Sequence, residues 1–265
     1  MERALRTFRK LLTALPVLAL ACSGSLPKEL AVLDPDLSCP VFESAVAGRK
    51  VERTTPIPGL QCTLRELRGL DEPSAGAATL ATRLCFYLAD STKDRDRARL
   101  FASEGVRWAE LAVRGGADQD GAVHYYLATN LGLAVKDTIL LAMKNLDRLK
   151  AELELAEKLA PDVDGGGPGR VLALLYLKVP SWPKGFGDSD LAVEMLRKAV
   201  AAHPEHPQNA LFLASALWDT QESAARDEVA ALLTAAERAI SARDWGYAAA
   251  LWRDQIAELR KDAGL

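Results

Sequence analysis

The sequence predicts an all-α protein, a short α-solenoid of about four helical pairs followed by a C-terminal capping helix. Alanine and leucine dominate the chain while runs of β-branched residues are scarce, which favours helix nearly throughout. Turn signals alternate with segments of helical periodicity. One pattern of small and aliphatic residues also recurs four times, as consecutive repeats require.

The recurring pattern places residues four and then three positions apart, followed five positions later by a residue that ends the helix. Such spacing keeps the first three members on one helical face, and the small residue lets a neighbouring helix approach closely. The intervals between the alanines at 109, 156, 199 and 239 are 47, 43 and 40 residues. This spacing is typical of the second helix of a tetratricopeptide repeat. The four copies are Ala102, Val106, Ala109 and Arg114; Leu149, Leu153, Ala156 and Pro161; Ala192, Leu196, Ala199 and Pro204; and Leu232, Ala236, Ala239 and Asp244.

Four helical pairs account for the central part of the chain. Gly187 opens the turn before the best repeat copy and Pro204 stops its helix. A last helix, from about Trp245 to Lys261, is predicted to cover the open end with its apolar side. The pairs are predicted at 74–89 with 94–114, 119–134 with 137–160, 168–178 with 188–203, and 207–219 with 223–242.

Three regions follow from this division: a signal peptide at 1–21, a lipidated tether and irregular cap at 22–70, and a tetratricopeptide-like helical repeat domain at 71–265. Prolines recur in the second region, where one short helix is predicted near Leu64 to Leu70.

The first 21 residues have the pattern of a secretory signal. A basic segment precedes the apolar run from Leu11 to Leu20, which is too short to cross a bilayer as a mature helix. Cys22, two residues after this run, is a candidate lipidation site. The alternative is simple cleavage of the signal at an Ala-x-Ala site. Ser23 after the cysteine favours the outer membrane over the inner one. We therefore expect a lipid-anchored protein that faces the periplasm, with a freely secreted or periplasmic form as the alternative.

The net charge of the chain limits the kinds of molecule that it is expected to bind. Removal of residues 1–21 takes away four basic residues and Glu2, so that the net charge goes from −3 to −6. An acidic chain argues against nucleic-acid binding and against electrostatic adhesion to anionic lipid. Contact with the membrane is thus expected only through the lipid anchor.

The cysteines indicate one disulfide. If Cys22 carries a lipid, three cysteines remain in an oxidising compartment. Cys85 lies in a helical apolar pattern and is predicted to be core, which favours a bond between Cys39 and Cys62, although the other pairings stay open. The spacing of cysteines and histidines does not favour a zinc site or any other metal.

Three segments interrupt the repeats and could carry function. In the first, Tyr126 and Asn130 share one helical face, beside Gly132. In the second, three glycines precede Pro168, and Arg170 could clamp an anion; its simplest internal partner is Asp162 or Asp164.

The third segment, residues 179–188, is a stiff loop that carries Trp182 and Phe186 between two prolines and two glycines. All three segments also have structural interpretations: helix packing, a glycine-rich linker, and aromatics that fold inward.

In this order, the segments resemble the tetratricopeptide-like T component associated with TRAP-type transporters, a group of bacterial envelope lipoproteins. The resemblance covers residues 122–209, about a third of the chain. It implies a periplasmic scaffold that associates with a solute-binding protein and shelters a small apolar or organic-acid ligand. The residues expected at a ligand or partner site are Tyr125, Tyr126, Asn130, Arg170, Tyr176, Trp182 and Phe186.

Catalysis is not predicted, and neither is a cofactor. His203 and His206 flank Pro204 and precede Pro207, which prevents the helical geometry of a metal pair, and a solvated helix end accounts for both histidines. No motif supplies a nucleophile with a base. Two functions remain: a transport accessory with a pocket near Tyr126, Asn130, Arg170 and Trp182, or an envelope assembly scaffold that holds a peptide or partner helix in a concave groove.

Overall fold

The computed structural model describes residues 25–40 and 49–265. In this part of the chain there are ten α-helices and no β-strand, so the all-α prediction is confirmed. The predicted signal peptide and Cys22 lie outside the described residues. The helices are α1 (Ile57–Arg68), α2 (Ala75–Ser91), α3 (Arg95–Ala112), α4 (Gly121–Val135), α5 (Ile139–Leu159), α6 (Gly167–Lys178), α7 (Ser189–Ala202), α8 (Pro207–Gln221), α9 (Arg226–Ala242) and α10 (Ala248–Ala263).

Consecutive helices pack as antiparallel pairs. The main partners are α2 with α3, α4 with α5, α6 with α7, and α8 with α9. Short loops between consecutive helices make antiparallel neighbours the simplest arrangement. One apolar core extends from the N-terminal segment to α6, and a second extends from α6 to α10.

The predicted packing face is buried in three of the four copies. In α7, for example, Ala192, Leu196 and Ala199 are the buried residues. The fourth copy differs by its register: α9 buries Leu233 and Ile240, whereas Leu232 and Ala239 are only half-buried. Ala236 belongs to both sets, because positions three and four apart lie on the same side of a helix.

The helix boundaries are close to the predicted ones, with one exception near the N-terminus. Helix α1 begins at Ile57, seven residues before the predicted start at Leu64. Pro56 is the N-cap of this helix and Pro58 lies in its first turn, where the N–H groups have no partner within the helix, so that both prolines are tolerated there. Side chains cap the starts of α2, α3, α4 and α7, as Asp188 does for α7 by accepting from Leu191 N at 2.9 Å.

The residues just before the last helix contact α2 and the segment that precedes α1. Tyr247, just before α10, donates a hydrogen bond to Asp90 of α2 at 3.1 Å. Gly246 lies so close to the backbone of Arg53 that an added Cβ would be 2.3 Å from its carbonyl oxygen. A side chain at position 246 would displace the segment before α1.

A disulfide attaches the N-terminal segment to α1. It joins Cys39 to Cys62, which confirms the predicted pairing, while Cys85 is a buried free thiol. A disulfide is consistent with an extracytoplasmic protein. None of the described helices is both long and apolar enough to cross a membrane.

Candidate functional site

A buried carboxylate lies where the two cores meet. Asp164 belongs to the turn between α5 and α6 and has a left-handed backbone, with φ of 52°. Its Oδ2 accepts hydrogen bonds from Tyr125 Oη at 2.8 Å and from Arg170 Nη2 at 3.0 Å. Arg53 Nη2 lies 3.0 Å from Oδ1 and 3.2 Å from Oδ2. Three parts of the chain thus converge on one side chain.

Arg53 connects this centre to α2 and to the residues before α10. Its Nη1 donates to Asp90 and to Tyr247, at 3.3 Å in each case. Four aromatic rings surround the guanidinium, with centroids 5.3 to 5.9 Å from Cζ, and such contacts favour a cation. The four rings belong to Phe86, Tyr87, Tyr247 and Trp252.

Arg170 is enclosed on the other side of Asp164. Its Nη1 donates to Asn209 Oδ1 at 2.8 Å and to the carbonyl of Gly165 at 3.1 Å, while Nη2 also reaches the Asp164 carbonyl at 3.1 Å. Of the two internal partners expected for Arg170, Asp162 and Asp164, the observed one is Asp164. Any external anion would have to displace these contacts to reach Arg170, which is 1% exposed.

Electrostatics keep the centre charged and paired. Burial alone would raise the pKa of Asp164, but the guanidinium groups of Arg53 and Arg170 hold it well below its usual range. Burial disfavours the charged form of Arg53 as well, but Asp164, together with Tyr247, Asp90 and Tyr87, outweighs that effect and raises the pKa of Arg53. With Asp90, the two arginines and two aspartates carry no net charge, which lowers the cost of burying them.

His206 completes the centre. It was expected at a solvated helix end, but it is buried against Trp245 and Trp252, with ring centroids 5.0 and 5.6 Å away. Burial, helped by the two arginines, lowers its pKa to about 4, so the ring is neutral at pH 7. Its Nε2 is 3.7 Å from Asp164 Oδ1, too far for a good hydrogen bond.

The centre has the properties of a structural clamp. It joins the N-terminal segment, α2, α4, the turn before α6, the start of α8 and the residues before α10. Asp164 is 11% exposed and Arg53 9% at their side chains, which leaves little room for a substrate. No group of three metal-ligating side chains occurs within residues 25–40 and 49–265.

Two of the predicted site residues, Tyr126 and Asn130, lie on α4 and pack against the preceding helices. Tyr126 Oη lies 3.3 Å from Tyr87 Oη, and Asn130 Nδ2 donates to the carbonyls of Thr82 and Tyr126 at 2.9 and 2.8 Å. Gly105 permits this arrangement, since a Cβ there would be 2.4 Å from Asn130 Cγ. Both side chains therefore bind α4 to the preceding helices.

The loop of residues 179–188 holds the predicted residues Trp182 and Phe186, and Tyr176 lies beside it at the end of α6. Phe186 is half-buried and packs edge-on against Tyr176, with centroids 5.7 Å apart. Trp182 points away and is 86% exposed, so the inward-packing interpretation of this residue is wrong. The reason is the tight closure of the loop, in which Gly187 N donates to Pro180 O at 2.9 Å. A Cβ at Gly187 would be 1.8 Å from Val179 O.

Among the clefts lined by described residues are three with volumes of about 160, 310 and 340 Å³. The first lies between α5 and α7 and includes Glu157 and His203. The second lies along α3 beside Trp108, and the third lies between α8 and α10 beside Trp218. None of the seven residues predicted for a ligand or partner site lines any of the three.

Sequence reasoning missed most of the charged centre. Arg53 was placed in an irregular cap, and Asp90 and Tyr247 carried no motif. The separation between Arg53 and Tyr247 is 194 residues, so no local spacing relates them. The available signal was weak, because Arg53 lies between the polar residues Glu52 and Thr54 in a segment otherwise assigned to loop.

Comparison with known proteins identifies no relative. A scan against protein-family models finds no match, and a search of the curated proteins finds none either.

Proposed function

We propose that this chain is a non-catalytic, periplasm-facing lipoprotein whose tetratricopeptide-like helical scaffold acts as a transport accessory and binds a solute-binding protein. The consecutive antiparallel pairs and the repeated small-residue faces support the scaffold. The Cys39–Cys62 disulfide supports an oxidising compartment, and the lipid is proposed on Cys22.

The observation that carries the proposal is the exposed Trp182. Tryptophan is enriched among the residues that contribute most to protein–protein binding, since it buries a large apolar area with few torsions to fix. The loop beneath it is fixed by the Gly187–Pro180 hydrogen bond and by a bond from Asp188 N to Tyr176 O at 3.0 Å. A rigid support reduces the entropy lost when a partner binds.

The alternative is an envelope assembly scaffold that holds a peptide or a partner helix in a concave groove. Such a groove needs space between the first and last helices. Arg53 and its aromatic neighbours occupy the place where α2 and the residues before α10 meet, which weighs against this function.

The test is direct binding between this protein and a TRAP-type solute-binding protein from the same organism, measured by calorimetry. We expect binding by the wild-type protein and a loss of about thirtyfold or more for Trp182→Ala, as for a residue central to an interface. Leu140→Ala is the matched control, because Leu140 is also exposed and apolar, at 75%, but lies on α5.

Equal binding by wild type and Trp182→Ala would contradict the role of the loop. Absence of binding by the wild-type protein, combined with capture of an extended peptide, would favour the assembly scaffold.

A further inference from the structure

The cleft beside Trp108 differs chemically from the rest of the molecule. It has a volume of about 310 Å³, at the lower end of the range of small-molecule sites. Helix α3 forms one wall, while the end of α1 and the N-terminal segment close the sides, through Arg68 and Leu30. It therefore has the size for a small molecule and is formed by three separate parts of the chain.

The face of α3 that lines the cleft carries one carboxylate and two apolar side chains. Glu104, Trp108 and Leu111 follow each other at intervals of four and three residues, so they point to the same side. The Trp108 Nε1 donates to Glu104 Oε1 at 3.2 Å, which fixes the indole plane. Leu30, 49% exposed, faces the cleft from the N-terminal segment. The apolar part of a bound ligand would contact two aliphatic side chains and one aromatic ring here.

Positive charge exceeds negative charge in this cleft. Glu104, the one carboxylate in its lining, is paired with Arg68, whose Nε and Nη2 donate to it at 2.8 and 2.5 Å. Arg107 uses Nη1 and Nη2 to hold the carbonyls of Pro27 and Glu29, at 2.6 and 3.4 Å. Carbonyls leave its charge uncompensated. Arg114 forms no hydrogen bond or ion pair with any described residue.

The backbone beside Arg114 ends α3. The helix continues into a turn at Val113–Ala117, in which Gly116 has a left-handed φ of 98°, a conformation that is common where helices end. Gly115 lets the turn lie against α2, since a Cβ there would be 3.2 Å from Ala75 Cβ. The turn thus holds the base of Arg114 at the rim of the cleft.

We propose that this cleft binds a small organic anion, a carboxylate with an aromatic or branched aliphatic body. Arg114 pairs with the carboxylate, with Arg107 adding to the positive field, and Trp108, Leu111 and Leu30 cover the apolar body. Arginine suits this role because its planar group donates two parallel hydrogen bonds to a carboxylate. The site is separate from the Trp182 loop, so it adds to the proposed function and does not depend on it.

The test uses phenylacetate as the probe, titrated into protein purified after expression of all 265 residues and measured by calorimetry at low salt. We expect saturable binding of phenylacetate. Phenylacetamide, which has the same shape without the charge, should bind at least about tenfold more weakly, and so should acetate, which lacks the apolar body.

Arg114→Gln should weaken phenylacetate binding at least about tenfold, since one charge-assisted pair is lost. Arg253→Gln is the matched control: Arg253 is an exposed arginine on α10 that lines none of the described clefts, and its replacement should leave binding unchanged. The proposal is overturned if phenylacetate does not bind at about 10 mM, roughly ten thousandfold above a dissociation constant of about 1 μM. Equal binding of phenylacetamide, or wild-type affinity in Arg114→Gln, would also overturn it. None of these outcomes bears on binding of the solute-binding protein through Trp182.

Discussion

Replacement of Asp164 by asparagine tests the role of the buried centre. Asparagine has nearly the same shape as aspartate but carries no charge. In the wild-type protein, Asp164 faces Arg53 and Arg170, whose side chains are 9% and 1% exposed. The substitution therefore leaves two buried cations with one fewer anion while it changes the packing little.

The expected loss of unfolding free energy depends on the partners that each arginine keeps after the substitution. Removal of one partner of a buried ion pair costs about 3–5 kcal/mol. Arg53 keeps Asp90 at 3.3 Å, and Arg170 keeps Asn209 at 2.8 Å, so we expect the lower end, about 3 kcal/mol. For a chain of this size, that loss lowers the melting temperature by roughly 6–12 °C.

Urea denaturation at pH 7, followed by circular dichroism with the disulfide intact, measures the free energy of unfolding. The control is Asp219→Asn, which removes the exposed ion pair of Asp219 with Lys178 and should cost less than about 1 kcal/mol. If Asp164→Asn also costs less than about 1 kcal/mol, Asp164 does not hold the centre together and the reasoning is wrong.

Two further predictions concern stability. Because the pKa of His206 is lowered from 6.5 to about 4 on folding, the unfolded chain binds more protons between these values. Stability should thus fall by about 3 kcal/mol as the pH drops from 6.5 to 4, and His206→Phe should remove this part of the slope in urea titrations; an unchanged slope would contradict it. Serine at both Cys39 and Cys62 should destabilise the protein by about 3 kcal/mol, since the bond closes a loop with a sequence separation of 23 residues. Addition of a reductant to the wild-type protein should match this loss, and a reductant without effect would refute the estimate.

The helices could be predicted because their signal is local. In α7, the spacing of Ala192, Leu196 and Ala199 follows the helical repeat, and each of the three is buried as this spacing requires. The fourth copy shows that helical spacing alone does not always identify the buried residues. Its aliphatic residues allow two registers one residue apart, and only contact with the neighbouring helices selects Leu233 over Leu232.

The disulfide could be predicted as the preferred pairing, since Cys85 belonged to an apolar helical face and Cys22 was assigned to the lipid. The buried centre could not, because its members are charged residues without a motif. Asp90 and Arg53 lie 37 residues apart, and Arg53 and Asp164 lie 111 apart. Only the folded arrangement of the helices, in which the segment before α1 and the residues before α10 both contact α2, places them together.

The direction of Trp182 also depends on three-dimensional geometry. Composition shows a rigid aromatic loop, but whether its tryptophan packs inward depends on how the loop closes. Phe186 takes the position over Tyr176, and Trp182 is left outside. The same residue types would equally fit a loop with the two aromatics exchanged.

The most direct test of the proposed function is site-specific photo-crosslinking from position 182 in intact cells that express the full-length chain. A photoreactive phenylalanine analogue in place of Trp182 occupies the same exposed position. We predict a dominant crosslink to a TRAP-type solute-binding protein, identified by mass spectrometry, which is lost when the analogue is moved to position 140. A crosslink to a different class of envelope protein, or the same crosslink from both positions, would contradict the account.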